Sequence, residues 1–453
     1  VIPLSPDLRD DAVGLLSRII RVLSVPDAGR ETDAARVLYK WAAAQGIFSR
    51  IVEPRPGKGS FVAALPGAGP TDLGLLAHLD VAPANPQDWS VAPFAGAIRD
   101  GAIWGRGAVD CKGLAVVWLV ALCALRRRHS TLRRGVLLVA AADEESGGRW
   151  GMSWLAEHLP EFAGVCCALS EGGGHVVPWH GGSLLAVQTG EKGLVVLRVP
   201  ARRVPGCGTL RARAPASPST VRLLRAVGRR PPSEALPFDR DELLRDTFAA
   251  VPADDGTVEV RIRTRPGVSA GQAIAAFCQQ FRLDLTAVVA EAAAAGTESP
   301  LDTELYDAIR SVAASYCPGT RLVPHVTPGI SDARFLRMRG VPVYGFFPFL
   351  PAAEAARQHG RDERLSVAAL WRAAEVAASL LESFCAGTAS GLAAKSPETN
   401  EGKRSMRQVR YPAEVLPRRR AHAGGAGGSP KTWTRANGQP SGFPPPPLFS
   451  VWC

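Results

Sequence analysis

No apolar run in the 453 residues reaches the length of a membrane helix, so no membrane-spanning helix is expected. Nine cysteines are present: Cys111, Cys123, Cys166, Cys167, Cys207, Cys278, Cys317, Cys385 and Cys453. They form neither CxxC pairs nor zinc-finger spacings. Their odd number, with two of them adjacent, argues against a disulfide framework and for small buried side chains in a reducing compartment. No secretory leader is visible ahead of the first motifs. The chain begins at Val1 rather than Met, so the expectation is a start missing upstream and, with no leader visible, a cytoplasmic location. The formal charge of +11 would suit a nucleic-acid partner, but from Thr388 onward ten Lys/Arg face three Glu, so +7 of it belongs to the tail. The remainder reads as solvated surface, and no nucleic-acid partner is expected.

What is present is a large apolar fraction, 46%, in a chain long enough for two domains. The stretch Thr71 to Gly113 organises it. Leu73 to Ala77 is an apolar run of strand length that ends in His78-Leu79-Asp80, and period-2 alternation points His78 and Asp80 the same way. The C-terminal ends of strands are where open α/β sheets hold ligands. A histidine with a carboxylate beside it is the pairing a zinc site uses. A second apolar run, Gly135 to Ala142, ends in Asp143-Glu144-Glu145-Ser146-Gly147-Gly148, and a third, Val165 to Leu169, ends in Ser170-Glu171-Gly172-Gly173-Gly174. Three strand ends thus crowd carboxylates into one crevice. Such groups repel unless a cation lies between them, and a pair of divalent metals resolves the repulsion.

These motifs, together with Gly105-Arg106-Gly107-Ala108-Val109-Asp110-Cys111-Lys112-Gly113, Glu191-Lys192-Gly193, Pro328-Gly329-Ile330-Ser331-Asp332-Ala333-Arg334-Phe335 and a late His359, stand in a specific order. In that order they resemble the zinc-dependent aminoacylase and carboxypeptidase superfamily over about residues 5 to 386, with the longest agreement to its carboxypeptidase S-like branch. The resemblance implies an α/β catalytic domain with a central mixed sheet, and a small inserted α+β satellite domain for dimerisation or as a lid. It implies His78, Asp110, Glu145, Glu171 (or its neighbour) and His359 as ligands of two Zn2+ ions, with Asp110 bridging and Asp80 steering His78. Glu144 would be the general base toward a zinc-activated water, in the manner of metal pairs roughly 3.5–4 Å apart. Arg334 and Gly329 would meet a substrate carboxylate, although a structural ion pair is an equal reading of Arg334.

The implied substrate is a small peptide or an N-acyl amino acid, cut at the amide next to a free carboxylate. A long-chain N-acyl-amino-acid amidase or synthase is the rival within the class. A catalytically weakened metal- or ligand-binding relative is the rival outside it. Two departures motivate the latter. Cys207, in Pro205-Gly206-Cys207-Gly208-Thr209, stands where relatives carry a histidine that reaches across the dimer, and a thiol is a poor oxyanion donor. Ser170 stands where an acidic residue is usual, and serine is a poor zinc ligand. A strand and its loop also look shortened near Asp246 to Pro252.

The expected boundaries are 1–190 and 295–387 for the catalytic domain, 191–294 for the satellite, and 388–453 for a disordered basic, Pro/Gly-rich tail containing Arg418-Arg419-Arg420. Local patterns add detail. Helices are expected over residues 5–24, with Ser5 as N-cap and Pro6 at N1, and over 111–128, 219–228, 239–249, 267–282, 301–314 and 365–384. A hairpin closes at Asp100-Gly101. Trp89, Phe94 and Trp104 are expected in the core, with a cleft wall as the other reading. Cys111, beside Asp110, is a candidate reactive thiol.

Overall fold

The computed structural model describes residues 2–200, 204, 206–210, 216–227, 244–253 and 256–386. The tail, Pro205, Cys453 and residues 239–243 of the expected 239–249 helix lie outside the described residues. No helix among the described residues is long and apolar enough to cross a membrane.

The chain folds as a mixed α/β structure around an eleven-stranded sheet. The continuous strand path is 49–52, 60–65, 135–141, 72–78, 165–170, 343–345, 182–191, 175–179 and 350–351, with 297–298 and 320–327 added on the strand Gly182–Glu191. Asp72–His78 sits in the middle, parallel to Gly135–Ala141 on one side and Val165–Ser170 on the other. The three apolar runs are therefore side by side and point the same way. All seven residues of Gly135–Ala141 are buried, as continuous apolar strands covered on both faces require.

One face of the sheet is covered by the helix Lys112–Arg128, whose first fourteen residues are all buried. It packs against Pro6–Ile20 and Val367–Leu381. Its Trp118 is fully enclosed and donates its indole N–H to the Leu76 carbonyl at 3.2 Å. Pro6 begins the first helix as expected, with Ser5 extended before it, although the Ser5 hydroxyl caps nothing. The two ends of the fold meet: the Ile2 N–H donates to Ser379 Oγ at 2.7 Å, and Arg9 pairs with Glu375.

The strands Ala97–Arg99 and Ala102–Trp104 form the expected hairpin, with φ of 53° at Asp100 and 71° at Gly101. Positive φ at both turn residues is what a two-residue hairpin loop of this twist needs. Arg364–Ser366 adds a third strand beside Ala102–Trp104. The closing helix accordingly starts later than its pattern suggests, at Val367.

Residues 193–294 contribute a second sheet, all antiparallel, in the order 207–209, 247–252, 257–264, 193–200, 289–294. Ala270–Phe281 packs on it around Val195, Leu197, Ile262 and Phe277, and this helix starts with a capping box at Ser269 and Gln272. Two expectations fail here. Thr247–Pro252 is a strand rather than the end of a helix, because Phe248 alternates inward and the segment pairs on both sides. Leu283 to Val289 also has the pattern of a strand, but the strand begins only at Val289, since Asp284 caps a short 3-10 turn over Leu285–Ala287.

The aromatic expectation fails as well. Trp89, Phe94 and Trp104 are half-buried, not core. Each tryptophan supports a guanidinium, Arg106 over Trp89 and Arg364 over Trp104, which is how a wide amphipathic ring is used at a rim.

Candidate metal centre

His78 ends the central strand and is buried to 1%. Its Nδ1 is held by the Asp80 carbonyl oxygen at 2.9 Å, which leaves Nε2 facing inward, 2.9 Å from Asp110 Oδ1 and 3.3 Å from Glu171 Oε2. The other Asp110 oxygen, Oδ2, lies 3.1 Å from His359 Nε2, and the same nitrogen is 3.1 Å from Glu145 Oε1. Asp110 therefore presents one oxygen to each histidine. Its peptide bond to Cys111 is cis.

Asp80 does more than accompany His78. Its carboxylate accepts the Glu144 N–H at 3.0 Å and the Glu145 N–H at 2.9 Å, and so pins the acidic turn after the second strand. Asp143 starts that turn at φ 69°, and its own carboxylate is taken by Lys58 Nζ at 3.0 Å. Lys58 pairs in turn with the fully buried Glu31 at 2.5 Å. Glu171 is placed by the three glycines that follow it. A Cβ on Gly174 would stand 2.0 Å from the Phe347 carbonyl oxygen, so only glycine lets this turn lie against residues 345–347.

The loop carrying Asp110 is held by a residue that motif spacing does not reveal. Glu363 is fully buried, and its Oε1 accepts the backbone N–H groups of Gly107, Val109 and Asp110 at 3.1, 2.8 and 3.0 Å. Its Oε2 pairs with Arg106 Nη1 at 2.6 Å, while Arg106 Nη2 donates to the His359 carbonyl oxygen at 3.0 Å. One ion pair thus ties the Asp110 loop to the His359 loop. Glu363 lies four residues after His359, but its partners are more than 250 positions away. No local pattern could have supplied them.

The electrostatics follow from carboxylates confined together. Burial pushes Glu144 well above the usual carboxylate range; His78 draws it back, but Glu171, Asp332 and Glu145 add to the rise. Burial likewise raises Glu171, against the pull of His78. Burial also opposes ionisation of Asp110, but hydrogen bonds from His359 and His78 override it and hold that carboxyl well below its ordinary value. His359 responds in the opposite sense. Burial lowers it, yet Asp110 and Glu145 lift it to about 11.

The donor set fits a pair of divalent cations. Two imidazole nitrogens, the split Asp110 carboxylate, Glu145 and Glu171 converge in three overlapping groups, and within each group the donor atoms lie within 4.8 Å of one another. Mixed nitrogen and oxygen donors of this kind suit zinc and related transition ions. Ser170 is buried on the strand and gives its backbone carbonyl to the Phe346 N–H, so Glu171 is the carboxylate that reaches the cluster.

A cleft of about 460 Å³, open to solvent, lies over Asp110, Glu144, Glu171 and His359, with Gly329 and Ser331 on its other wall. Arg334 does not line it. Its two terminal nitrogens donate to the carbonyls of Ser331 and Gly147, and its guanidinium stacks on Phe335. Gln188 and Thr327, which had no predicted role, do line it and are hydrogen-bonded to each other at 2.7 Å. Cys111 is fully enclosed, and burial pushes its thiol far up, which removes it as a reactive group. Cys207 is exposed in the edge strand Cys207–Thr209 and is not among the cleft's lining residues.

Comparisons with known proteins point to one family and fold. The model of peptidase family M20/M25/M40 matches residues 74–383. The chain is 36% identical over 158 residues to an N-fatty-acyl-amino acid synthase/hydrolase of Xenopus tropicalis, covering 34% of this chain and 30% of that protein. It is 34% identical over 169 residues to aminoacylase-1 of Sus scrofa, covering 36% and 40%. The alignments therefore span well under half the length of these curated relatives. Among solved structures, an M20 family metallo-carboxypeptidase of Sulfolobus solfataricus superposes with a TM-score of 0.63 at 15% identity, covering 82% of this chain and 98% of that one. Human carnosine dipeptidase 1 gives 0.60 at 16%, covering 82% and 96%. At these identities the likeness is one of fold.

Proposed function

The chain belongs to peptidase family M20/M25/M40, and from that premise we propose that it hydrolyses an amide bond adjacent to a free carboxylate, in a small peptide or an N-acyl amino acid, with two zinc ions per chain. The observation that carries this reading is Asp110, whose two oxygens each face a different histidine Nε2. His78 and Glu171 would hold one ion, Glu145 and His359 the other, and Asp110 both. When bound, such a pair lowers the pKa of a shared water and polarises the amide carbonyl.

The chain's own residues account for the rest. Glu144 is buried, borders the cleft and is biased toward its protonated form, which suits a carboxylate that accepts a proton from water at one oxygen and passes it to the leaving amine nitrogen. Asp80 fixes where Glu144 stands through the turn's N–H groups. With the Arg334 side chain committed to backbone carbonyls, a substrate carboxylate would be met by the Gly329 to Ser331 backbone on the cleft wall.

Metal content measured by mass spectrometry after equilibration with zinc tests the reading first. About two zinc ions per chain is expected, and one or fewer would overturn the two-metal site. Acetyl, succinyl and long-chain acyl amino acids then decide the acyl preference, since named relatives span an aminoacylase and a fatty-acyl synthase/hydrolase. A second reading, a weakened metal-binding relative, is favoured by Cys207 at the position where relatives present histidine. It predicts two bound zinc ions without turnover on any of these substrates. The second sheet as a separate satellite domain, a homodimer through it, and a cytoplasmic location remain part of the proposal.

A further inference from the structure

At the far end of the strand that delivers Glu171 lie two adjacent cysteines. Consecutive strand side chains ordinarily point to opposite faces. Here the pairing skips a residue: Asp72 is opposite Val165, but Leu73 is opposite Cys167, so Cys166 is an extra residue in the register. Bulges re-aim side chains, and the two sulfurs stand 3.7 Å apart. Cys166 is exposed, whereas Cys167 is buried. From this geometry we infer that the Cys166–Cys167 step is a modification site for low-molecular-weight disulfides, with Cys166 as the attacking sulfur and Cys167 as the group that holds it ready.

The surroundings favour a thiolate at Cys166. Hydrogen bonding with Cys167, in which either sulfur can donate, together with Thr71 and the positive charge of Arg134, outweighs burial and brings it down to about 6; in its protonated form Cys166 Sγ donates to the Asp72 carbonyl oxygen at 3.6 Å. The charged groups around the pair are Arg134, its partner Glu304 at 2.5 Å, Arg133 and the partly buried Asp72. Cys167 is pushed the other way, chiefly by Cys166, and so stays a protonated donor.

The step is an exchange with no net oxidation. The Cys166 thiolate attacks one sulfur of R–S–S–R, a bond forms between Cys166 Sγ and that sulfur, the R–S–S–R bond breaks, and RS⁻ leaves and is protonated by solvent. Cys167 does not then displace the adduct. Adjacent Cα atoms about 3.8 Å apart lie below the usual 4.4 Å floor for a disulfide. The bulge is about 16 Å of strand from Glu171, so the modification is independent of the metal centre.

Rate follows from thiolate fraction offset by lower nucleophilicity. At pH 6 about half of Cys166 is ionised against about 0.3% of an ordinary thiol, and the Brønsted penalty is roughly 13-fold, leaving about a tenfold advantage. The test treats the intact full chain with glutathione disulfide at pH 6, quenches with acid at intervals and maps adducts by peptide mass spectrometry. The expected first product is one glutathione on Cys166, formed about tenfold faster than on Cys207 or Cys317. Cys167→Ala should slow it severalfold, and Cys166→Ser should abolish it. First modification at any other cysteine, no advantage at pH 6, an unchanged rate in Cys167→Ala, or a Cys166–Cys167 disulfide as the product would each overturn the assignment.

Discussion

Glu363→Gln is the substitution that most directly separates the loop geometry around Asp110 from the metal chemistry. The side chain keeps its size, but one of its two oxygens becomes an amide nitrogen. If the remaining oxygen continues to accept the three N–H groups of Gly107, Val109 and Asp110, the new NH2 faces Arg106, and that buried guanidinium loses its partner. If the amide flips, the pair survives in weaker form and three backbone donors lose their acceptor. Neither arrangement satisfies everything. Removing one member of a buried pair costs about 3–5 kcal/mol, a large part of the roughly 5–15 kcal/mol by which a protein is stable. The loop also holds Asp110, and losing a residue that orients a ligand lowers metal affinity by roughly 10–100-fold. Denaturant unfolding of the metal-free chain measures the first quantity, and competition against a zinc chelator the second. Replacing both partners by Arg106→Met with Glu363→Leu should restore part of the stability without restoring affinity, since the backbone N–H groups still lack an acceptor. Glu363→Gln with wild-type stability and wild-type zinc affinity would refute the claim that this pair holds the Asp110 loop.

On the proposed two-zinc reading, Glu144→Gln should keep the wild-type metal content but lose activity by roughly 10²–10⁴-fold, checked by metal content and turnover on the same preparation. Trp118→Ala, at a fully buried position under the central strand, should destabilise by about 3–5 kcal/mol in denaturant unfolding. Acidification should weaken the fold through His325, which is 1% exposed and held by burial at about 3. Its folded value lies below the unfolded value of about 6.5, so the unfolded chain binds the extra proton. Stability is therefore whole above pH 6.5, falls as pH drops below it, and is down by about 2 kcal/mol at pH 5. Unfolding at pH 7 and pH 5 in wild type and His325→Gln measures this, and an equal pH slope in both would remove His325 as its cause.

The sheet's centre was legible because each of its three parallel strands announces itself twice, by an unbroken apolar run and by the polar residues at its C-terminal end. Leu73 to Ala77 can be little else than a buried strand, and His78 must then stand at its exit. The hairpin at Asp100-Gly101 was readable for a similar reason, since few other dipeptides accept positive φ at both positions. Residues whose role is defined by a partner far along the chain were not readable. Glu363, Lys58 and Glu31 carry no local pattern, and only the fold brings Arg106 to one and Asp143 to another. Arg334, for which a structural role was an equal reading, shows the converse. A motif gives the residue type, but its guanidinium is spent on the carbonyls of Ser331 and Gly147. The tryptophans misled through size alone, since an apolar ring suits a core, yet Trp89 and Trp104 serve as platforms for arginines.

The distribution of the metal-centre residues along the chain has a consequence for synthesis. Glu171 and His359 are 188 positions apart, and at roughly 5–20 residues per second a ribosome needs about 10–40 s to cover that interval. Throughout it His78, Asp110, Glu144, Glu145 and Glu171 are already made, while His359, and Glu363 which braces the Asp110 loop, are still to come. A nascent chain in that window carries an acidic half-site with a single histidine. On the proposed metal site, it would attract cations loosely but not seat them, which makes secure metal loading one of the last events in the protein's maturation.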